Sequence, residues 1–222
     1  MKGTPMTEHL YDYIAETFAP EDDLLKRMPA EAEQQGIRMI HIDAMQGKFL
    51  QVLMRACNAK RVVEVGSLFG YSAIWMARAL PADGKLVALE INPLHVRVIR
   101  ENARRAGLAD KIEVIEGDAR ETLPALKTQA PFDFAFVDAD KMGYVDYFEQ
   151  VMTLLRPGAI IVADNMSAHG NVWNAQADAQ TRGDVPTIRA LNQRMATHPR
   201  LTSLLIPMSD GMCVGVVNES YK

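Results

Sequence analysis

Short apolar runs rich in β-branched residues alternate with stretches of helical spacing from residue 61 onward. The runs show no polar alternation, which is typical of strands buried on both faces of a sheet. Regular alternation of strand and helix predicts a parallel sheet with right-handed crossovers. The predicted strands are residues 61–65, 85–90, 111–116, 133–137 and 159–163.

The two ends of the chain have different patterns. Residues 6–19 and 46–57 carry apolar side chains at helical spacing, and the polar stretch 22–35 predicts an exposed helix broken or kinked at Pro29. We therefore expect residues 1–60 to form a helical cap on a core spanning residues 61–222, within one domain. After a helix over 144–155, Pro157-Gly158 predicts a turn.

The C-terminal part predicts an antiparallel addition to the sheet. A helix is expected over residues 185–197, followed by apolar runs at 201–207 and 212–218. The Asp210-Gly211 pair between these two runs is a hairpin signal. The fold class is therefore α/β, with a mostly parallel sheet that ends in an antiparallel hairpin.

Composition narrows the range of functions. The chain has 222 residues, is 48% hydrophobic and 23% charged, and has a net charge of −4 with no Lys/Arg block. We therefore expect no nucleic-acid and no membrane partner, since both depend on clustered basic residues or long apolar runs. The sequence shows no signal-peptide pattern, and its only cysteines, Cys57 and Cys213, lie in apolar surroundings. We expect a cytoplasmic protein with both as core residues, although a disulfide stays open.

Oxygen-bearing side chains follow two of the predicted strands. Asp138 comes directly after one apolar run, and Asp164-Asn165 after the next. Parallel strands end at the same sheet edge, about 4.8 Å apart, so two carboxylates and an amide oxygen could share one small volume. A hard divalent cation favours such ligands. Either aspartate alone could equally cap a helix.

The first three predicted strands end in features that suit a nucleoside. The glycine-rich exit 64–70 lets a ligand approach the backbone, but it lacks the dinucleotide fingerprint and a phosphate-binding lysine. Glu90 is placed to accept hydrogen bonds from ribose hydroxyls, and Asp118-Ala119 could flank an adenine. A ribose acid without a pyrophosphate cradle predicts a nucleoside without phosphates.

Taken together, these motifs resemble the cation-dependent O-methyltransferases, the family that includes the caffeoyl-CoA and catechol O-methyltransferases. The resemblance extends from about residue 10 to the C-terminus. Its motifs are Val63-Glu64-Val65-Gly66, Gly70-Tyr71-Ser72, Glu90, Gly117-Asp118-Ala119, Phe136-Val137-Asp138-Ala139-Asp140-Lys141 and Asp164-Asn165.

The resemblance implies a Rossmann-like methyltransferase fold with a seven-stranded sheet, S-adenosylmethionine as methyl donor, and a homodimer. It places Gly66, Tyr71 and Ser72 at the methionine part of the donor, Glu90 at the ribose and Ala119 at the adenine. The predicted donor site also includes Glu64, Asp118 and Asp138.

The same resemblance assigns the metal ligands and a base. Asp138, Asp164 and Asn165 would hold Mg²⁺, with Mn²⁺ or Ca²⁺ as alternatives, and Lys141 would be the general base. A phenolic acceptor with two adjacent hydroxyls would suit such a site. Residues 166–184 carry no basic cluster for a coenzyme A phosphate, which favours a small catechol-type acceptor.

Several assignments stay open at this stage. Trp173, His169 and Tyr144 could line an aromatic acceptor pocket, although Tyr144 could equally pack the start of its helix. Two other functions compete with a catechol-type O-methyltransferase. One is a nucleotide-dependent dehydrogenase, and the other is a non-catalytic S-adenosylmethionine-binding protein.

Overall fold

The computed structural model describes residues 6–174 and 184–219, which form a single seven-stranded sheet between two layers of helices. The strand order is β3-β2-β1-β4-β5-β7-β6. In chain order the strands are β1 Arg61–Val65, β2 Lys85–Glu90, β3 Ile112–Glu116, β4 Phe132–Val137, β5 Leu155–Ala163, β6 Leu201–Ile206 and β7 Met212–Val217.

The first five strands are parallel, and the order reverses between β1 and β4. β7 enters antiparallel between β5 and β6, so the predicted hairpin is confirmed. Ligands of open α/β sheets bind beyond the carboxyl ends of the strands, near the point where the order reverses. In this chain that point lies between Val65 and Val137, which are paired in register.

Eight α-helices surround the sheet in the described part of the chain. They are α1 Glu8–Phe18, α2 Asp23–Gln34, α3 Ala44–Ala56, α4 Tyr71–Ala77, α5 Pro93–Arg105, α6 Ala119–Ala125, α7 Tyr144–Met152 and α8 Asp184–Thr197. One apolar cluster joins α2–α5 to one sheet face, and a second joins α6–α8 to the other. These two clusters are why the central strands lack polar alternation.

The cap packs on the core through α3. Gly47 of α3 lies against the indole of Trp75 on α4, where a Cβ at Gly47 would come within 2.5 Å of the ring. In the link between α1 and α2, Glu21 accepts a hydrogen bond of 2.7 Å from the hydroxyl of Tyr71. The absence of a side chain at Gly47 therefore lets α3 of the cap pack closely on α4.

Two local predictions were wrong. The helix predicted over 144–155 ends at Met152, and β5 begins at Leu155 and runs through the predicted turn at Pro157-Gly158. Pairing of Leu155 with Phe132, followed by a register shift, keeps this segment in the sheet, with Gly158 at a positive φ of 75°.

The polar helix of the cap also differs from its prediction. α2 continues through Pro29 without a break, and it is not merely exposed. Leu25, Met28 and Ala32 lie on its buried side, so packing against the core stabilises the helix despite the missing proline N–H.

The structure shows the state of the two cysteines. Cys57 is half-buried, Cys213 is buried, and both are free thiols, so the disulfide left open is not formed. Across residues 6–174 and 184–219, no helix combines the length and apolar character that a bilayer crossing needs.

Candidate active site

Backbone hydrogen bonds bring the predicted site residues to one edge of the sheet. The amide of Asp138 donates to the carbonyl of Val65 over 2.9 Å, and the amide of Asp164 donates to Val137 over 3.1 Å. These bonds hold the carboxyl ends of β1, β4 and β5 side by side. The predicted juxtaposition of Asp138 and Asp164 follows from this ladder.

Lys141 lies between an acidic and a phenolic group. Its Nζ is 3.0 Å from Asp138 Oδ1 and also contacts the hydroxyl of Tyr144. Tyr144 is fully buried, and its hydroxyl donates to the carbonyl of Asp164 over 3.1 Å. The side chain of Lys141 is therefore held beside both aspartates rather than free in solvent.

Asp164 is a buried carboxylate beside another acid. Burial, and secondarily the charge of Asp138, raises the pKa of Asp164 well above the ordinary value for an aspartate. One of its oxygens, Oδ1, accepts a hydrogen bond of 2.8 Å from Gln46 Nε2. Lys141 offsets part of the repulsion between the two aspartates, but burial and Asp138 still keep the pKa of Asp164 raised.

Asn165 follows directly with a left-handed backbone, at a φ of 59°. Asparagine tolerates this conformation better than most residues. Within the described residues, no group of three or more His, Cys, Asp and Glu side chains could hold a metal ion. A cation at this edge would therefore depend on the amide of Asn165 as well as on the two carboxylates.

Glu64 is a second buried acid, and it lies on β1 itself. It is fully buried and accepts hydrogen bonds from the hydroxyls of Ser67, at 2.5 Å, and Ser72. Burial raises the pKa of Glu64 to about 7. Ser72, predicted at the donor site, therefore has a contact that also organises the glycine-rich turn.

Position 66 requires a glycine because the backbone of Asp138 passes very close to it. Its φ is +84°, and a Cβ there would lie 2.3 Å from the carbonyl oxygen of Asp138. Glu90 supports the same turn, since its Oε2 accepts hydrogen bonds from the amides of Ser67 and Leu68 at 3.2 and 2.9 Å. Glu90 therefore shapes the turn in addition to its predicted role at a ribose.

The remaining predicted donor residues also have structural contacts. Asp118 caps α6, since its carboxylate accepts a hydrogen bond of 2.8 Å from the amide of Arg120, and Ala119 is buried at the start of that helix. The buried Tyr71 points its hydroxyl at Glu21 of the cap. Their roles toward a donor stay predictions.

The predicted acceptor residues are spread out. Tyr144 is buried beside Lys141, as described above, whereas Trp173 is 82% exposed. His169 is exposed, and its ring lies 3.4 Å from Asp210. Residues 175–183, the later part of the stretch 166–184 that carries no basic cluster, lie outside the described residues.

Sequence reasoning missed Gln46 as a site residue. Its signal was present, because Asp43-x-x-Gln46 is the spacing of a capping box at the start of α3. That pattern predicts a helix N-terminus, but it gives no reason to expect Asp164 as the second partner of the amide. The contact depends on tertiary packing of the cap.

Comparison with known proteins identifies the family of the chain. A family model described as O-methyltransferase matches residues 15–216. The chain belongs to the O-methyltransferase family.

Two curated relatives and one solved structure illustrate its neighbours in that family. A catechol O-methyltransferase from Niastella koreensis is 37% identical over 217 residues, covering 95% of this chain and 97% of that protein. A caffeoyl-CoA O-methyltransferase 2 from Eucalyptus globulus is 34% identical over 221 residues, covering 95% and 89%. The O-methyltransferase TomG from Streptomyces achromogenes, solved with S-adenosylmethionine, is 31% identical with a TM-score of 0.88, covering 96% of this chain and 100% of that one.

Membership in the O-methyltransferase family makes the chain an enzyme that uses S-adenosylmethionine. The predicted family and fold class are confirmed. Both competing functions, the nucleotide-dependent dehydrogenase and the non-catalytic binding protein, lose their basis. The cation, the base and the acceptor are separate questions.

Proposed function

We propose that this enzyme is a divalent-cation-dependent O-methyltransferase acting on a small catechol-type phenol, with Lys141 as general base. The observation that carries the proposal is the juxtaposition of Asp138, Asp164 and Lys141 at the ends of neighbouring strands. Together with the amide oxygen of Asn165, the two carboxylates form an oxygen-only donor set that suits a hard cation.

The donor set at this edge fits a hard cation. Asp138, Asp164 and Asn165 offer only oxygen ligands, which Mg²⁺ prefers, with Mn²⁺ or Ca²⁺ as alternatives. The raised pKa of Asp164, caused by burial and by Asp138, marks a carboxylate that a positive charge would stabilise. When bound, a divalent cation stabilises the anion of a coordinated hydroxyl and so lowers its pKa.

The buried acids on the β1 side would hold the donor. In this proposal, Gly66, Tyr71 and Ser72 face the methionine part, together with Glu64 and Asp138. Glu90 faces the ribose, and Asp118-Ala119 faces the adenine. When bound, S-adenosylmethionine supplies an electrophilic methyl group on its sulfonium, and the protein holds it in line with the acceptor oxygen.

Lys141 would remove the proton from the acceptor hydroxyl. A neutral amine at this position could take that proton, and the resulting ammonium has Asp138 Oδ1 at 3.0 Å to stabilise it. The hydroxyl of Tyr144 contacts the same nitrogen. Held between these two groups, the amine needs little reorganisation at the moment of proton transfer.

A small catechol fits the chain better than a coenzyme A thioester. Between residues 166 and 184 the only basic residue other than His169 is Arg182, so the sequence offers no cluster for coenzyme A phosphates. The Niastella relative is named for catechol and the Eucalyptus relative for caffeoyl-CoA, so relatives of both kinds exist. The missing basic cluster is what favours catechol for this chain.

Competition between the two acceptor classes tests this assignment. Initial rates of methyl transfer would be measured with catechol, a set of substituted catechols and caffeoyl-CoA, at equal concentrations with Mg²⁺. We expect kcat/KM for the preferred catechol to exceed that for caffeoyl-CoA. A clear preference for caffeoyl-CoA would contradict the acceptor assignment while leaving the cation and the base untouched.

We also propose a cytoplasmic homodimer, as the resemblance to the caffeoyl-CoA and catechol enzymes implies. Light scattering on the purified protein at micromolar concentration would give a mass twice that of the 24.7 kDa chain. A monomeric mass across that range would contradict the dimer.

A further inference from the structure

A single buried amide joins the cap to one of the proposed cation ligands. Gln46 Nε2 donates to Asp164 Oδ1 over 2.8 Å, and both side chains are buried. The two residues are 118 positions apart in the chain. Gln46 is not among the proposed ligands, and nothing in the proposed chemistry uses it.

The capping box fixes which end of this amide faces Asp164. Gln46 Oε1 accepts the backbone amide of Asp43 over 3.0 Å, and Asp43 Oδ1 accepts the backbone amide of Gln46 over 2.8 Å. A glutamine amide has one accepting end and one donating end. Because the box occupies the accepting end, only the NH₂ group is left to face the carboxylate.

The box itself is anchored at the turn between β6 and β7. The hydroxyl of Ser209 donates to Asp43 Oδ2. The same turn holds the segment after Asn165, since the amide of Ser167 donates to the carbonyl of Asp210 over 2.8 Å. The capping box that contains Gln46 and the segment that follows Asp164 are therefore both attached to the turn between β6 and β7.

We propose that Gln46 is a positioning residue that sets the orientation of the Asp164 carboxylate and thereby the affinity of this edge for a divalent cation. A carboxylate has two oxygens, so a donor on Oδ1 fixes its rotation and leaves Oδ2 for a cation. A neutral amide does this without adding a positive charge that would repel the cation. This inference rests on the proposed cation site.

Direct measurement of cation affinity tests the role without any turnover. Mn²⁺ binding to the full chain would be followed by electron paramagnetic resonance, without donor or acceptor, for wild type, Gln46→Met and Gln46→Asn. Methionine removes the amide at similar length, and asparagine keeps an amide that is one methylene too short to make both contacts. We expect the Kd for Mn²⁺ to rise about tenfold or more in both, the usual effect of removing a hydrogen bond to a metal ligand.

Gln51→Met is the matched control. Gln51 lies on the same helix and donates to the carbonyl of Trp75 over 2.7 Å, so its loss also removes a glutamine hydrogen bond between cap and core. We expect its Kd for Mn²⁺ to stay within about twofold of wild type, a difference too small for a ligand contact. Thermal melts of all four proteins would show which variants remain folded.

Two outcomes would distinguish a failure of the Gln46 role from a failure of the proposed cation site. Wild-type Mn²⁺ affinity in both folded Gln46 variants would overturn the role of Gln46 and leave the proposed function intact. If the wild type itself binds no Mn²⁺, the proposed cation site falls, and the role of Gln46 falls with it.

Discussion

Lys141 Nζ and Asp138 Oδ1 lie 3.0 Å apart, at the exit of the strand that borders the reversal of the sheet order. A short 3₁₀ turn, Lys141–Gly143, carries the lysine, and Asp140 caps this turn by accepting the amide of Gly143 over 2.9 Å. Asp140 is also held by the hydroxyl of Tyr147 at 2.5 Å. The motif Asp138-Ala139-Asp140-Lys141 thus contains one acid that pairs with the lysine and one that supports its backbone.

Replacement of Lys141 tests its role as the base. Lys141→Ala should reduce kcat about 100-fold or more, the scale of general-base catalysis, while S-adenosylmethionine still binds. Initial rates and donor titration calorimetry would measure the two quantities. Lys127→Ala, at an exposed lysine in the 3₁₀ turn Leu126–Thr128 that precedes β4, should leave both unchanged. Turnover by Lys141→Ala that matches wild type across pH would remove Lys141 from this role.

Removal of a proposed cation ligand should abolish turnover without affecting binding of the methyl donor. Asp164→Ala should abolish cation-dependent turnover, while its Kd for S-adenosylmethionine stays within about threefold of wild type, since the donor residues remain. Asp83→Ala, at an exposed aspartate paired with Lys60, is the control. Wild-type turnover in Asp164→Ala would refute the ligand role of Asp164.

Gly66 and Gly36 form a matched pair for the close approach at the β1 exit. Both have positive φ, +84° and +79°, but a Cβ at Gly36 has no heavy atom within 4 Å, whereas one at Gly66 meets the Asp138 carbonyl at 2.3 Å. Gly36→Ala should lower the free energy of unfolding by about 1 kcal/mol, and Gly66→Ala by about 3 kcal/mol or more. Urea unfolding would measure both, and equal losses would show that the backbone contact does not matter.

Glu64 predicts a pH dependence of stability. Its pKa is raised from 4.5 to about 7 by burial, so the folded state binds the proton more tightly than the unfolded chain. The stabilisation is therefore complete below about pH 4.5 and is lost as pH rises through about 7, by an amount of the order of 3 kcal/mol.

Glu64→Gln should flatten this fall in unfolding free energy between about pH 5 and 7, measured by urea unfolding in EDTA. Some slope should remain, because the pKa of Asp164 is raised in the same direction. Glu33→Gln, at an exposed glutamate of α2, should keep the wild-type slope. An unchanged slope in Glu64→Gln would contradict a protonated Glu64.

Much of the site could be predicted because it depends on strand ends. Asp138 and Asp164 each follow an apolar run, and parallel pairing alone brings such residues to one edge. The same logic does not reach Gln46, whose partner lies 118 residues away and is set by packing of the cap. A capping box is a local signal, and it carries no information on distant contacts.

The two wrong elements have a related cause. Pro157-Gly158 has the local chemistry of a turn, and Pro29 has that of a helix break. In the folded chain, pairing of Leu155 with Phe132 keeps the first in a strand, and burial of Met28 and Ala32 keeps the second in a helix. Tertiary contacts outweighed local preference at both places.

Dependence of methyl transfer on a divalent cation is the most direct test of the proposed mechanism. The purified enzyme would be treated with EDTA, dialysed, and assayed with S-adenosylmethionine and a catechol before and after addition of Mg²⁺. We predict loss of turnover after EDTA and its recovery with Mg²⁺, because Asp138, Asp164 and Asn165 would then again hold the cation that orients the acceptor. Full turnover in EDTA would contradict the cation-dependent mechanism.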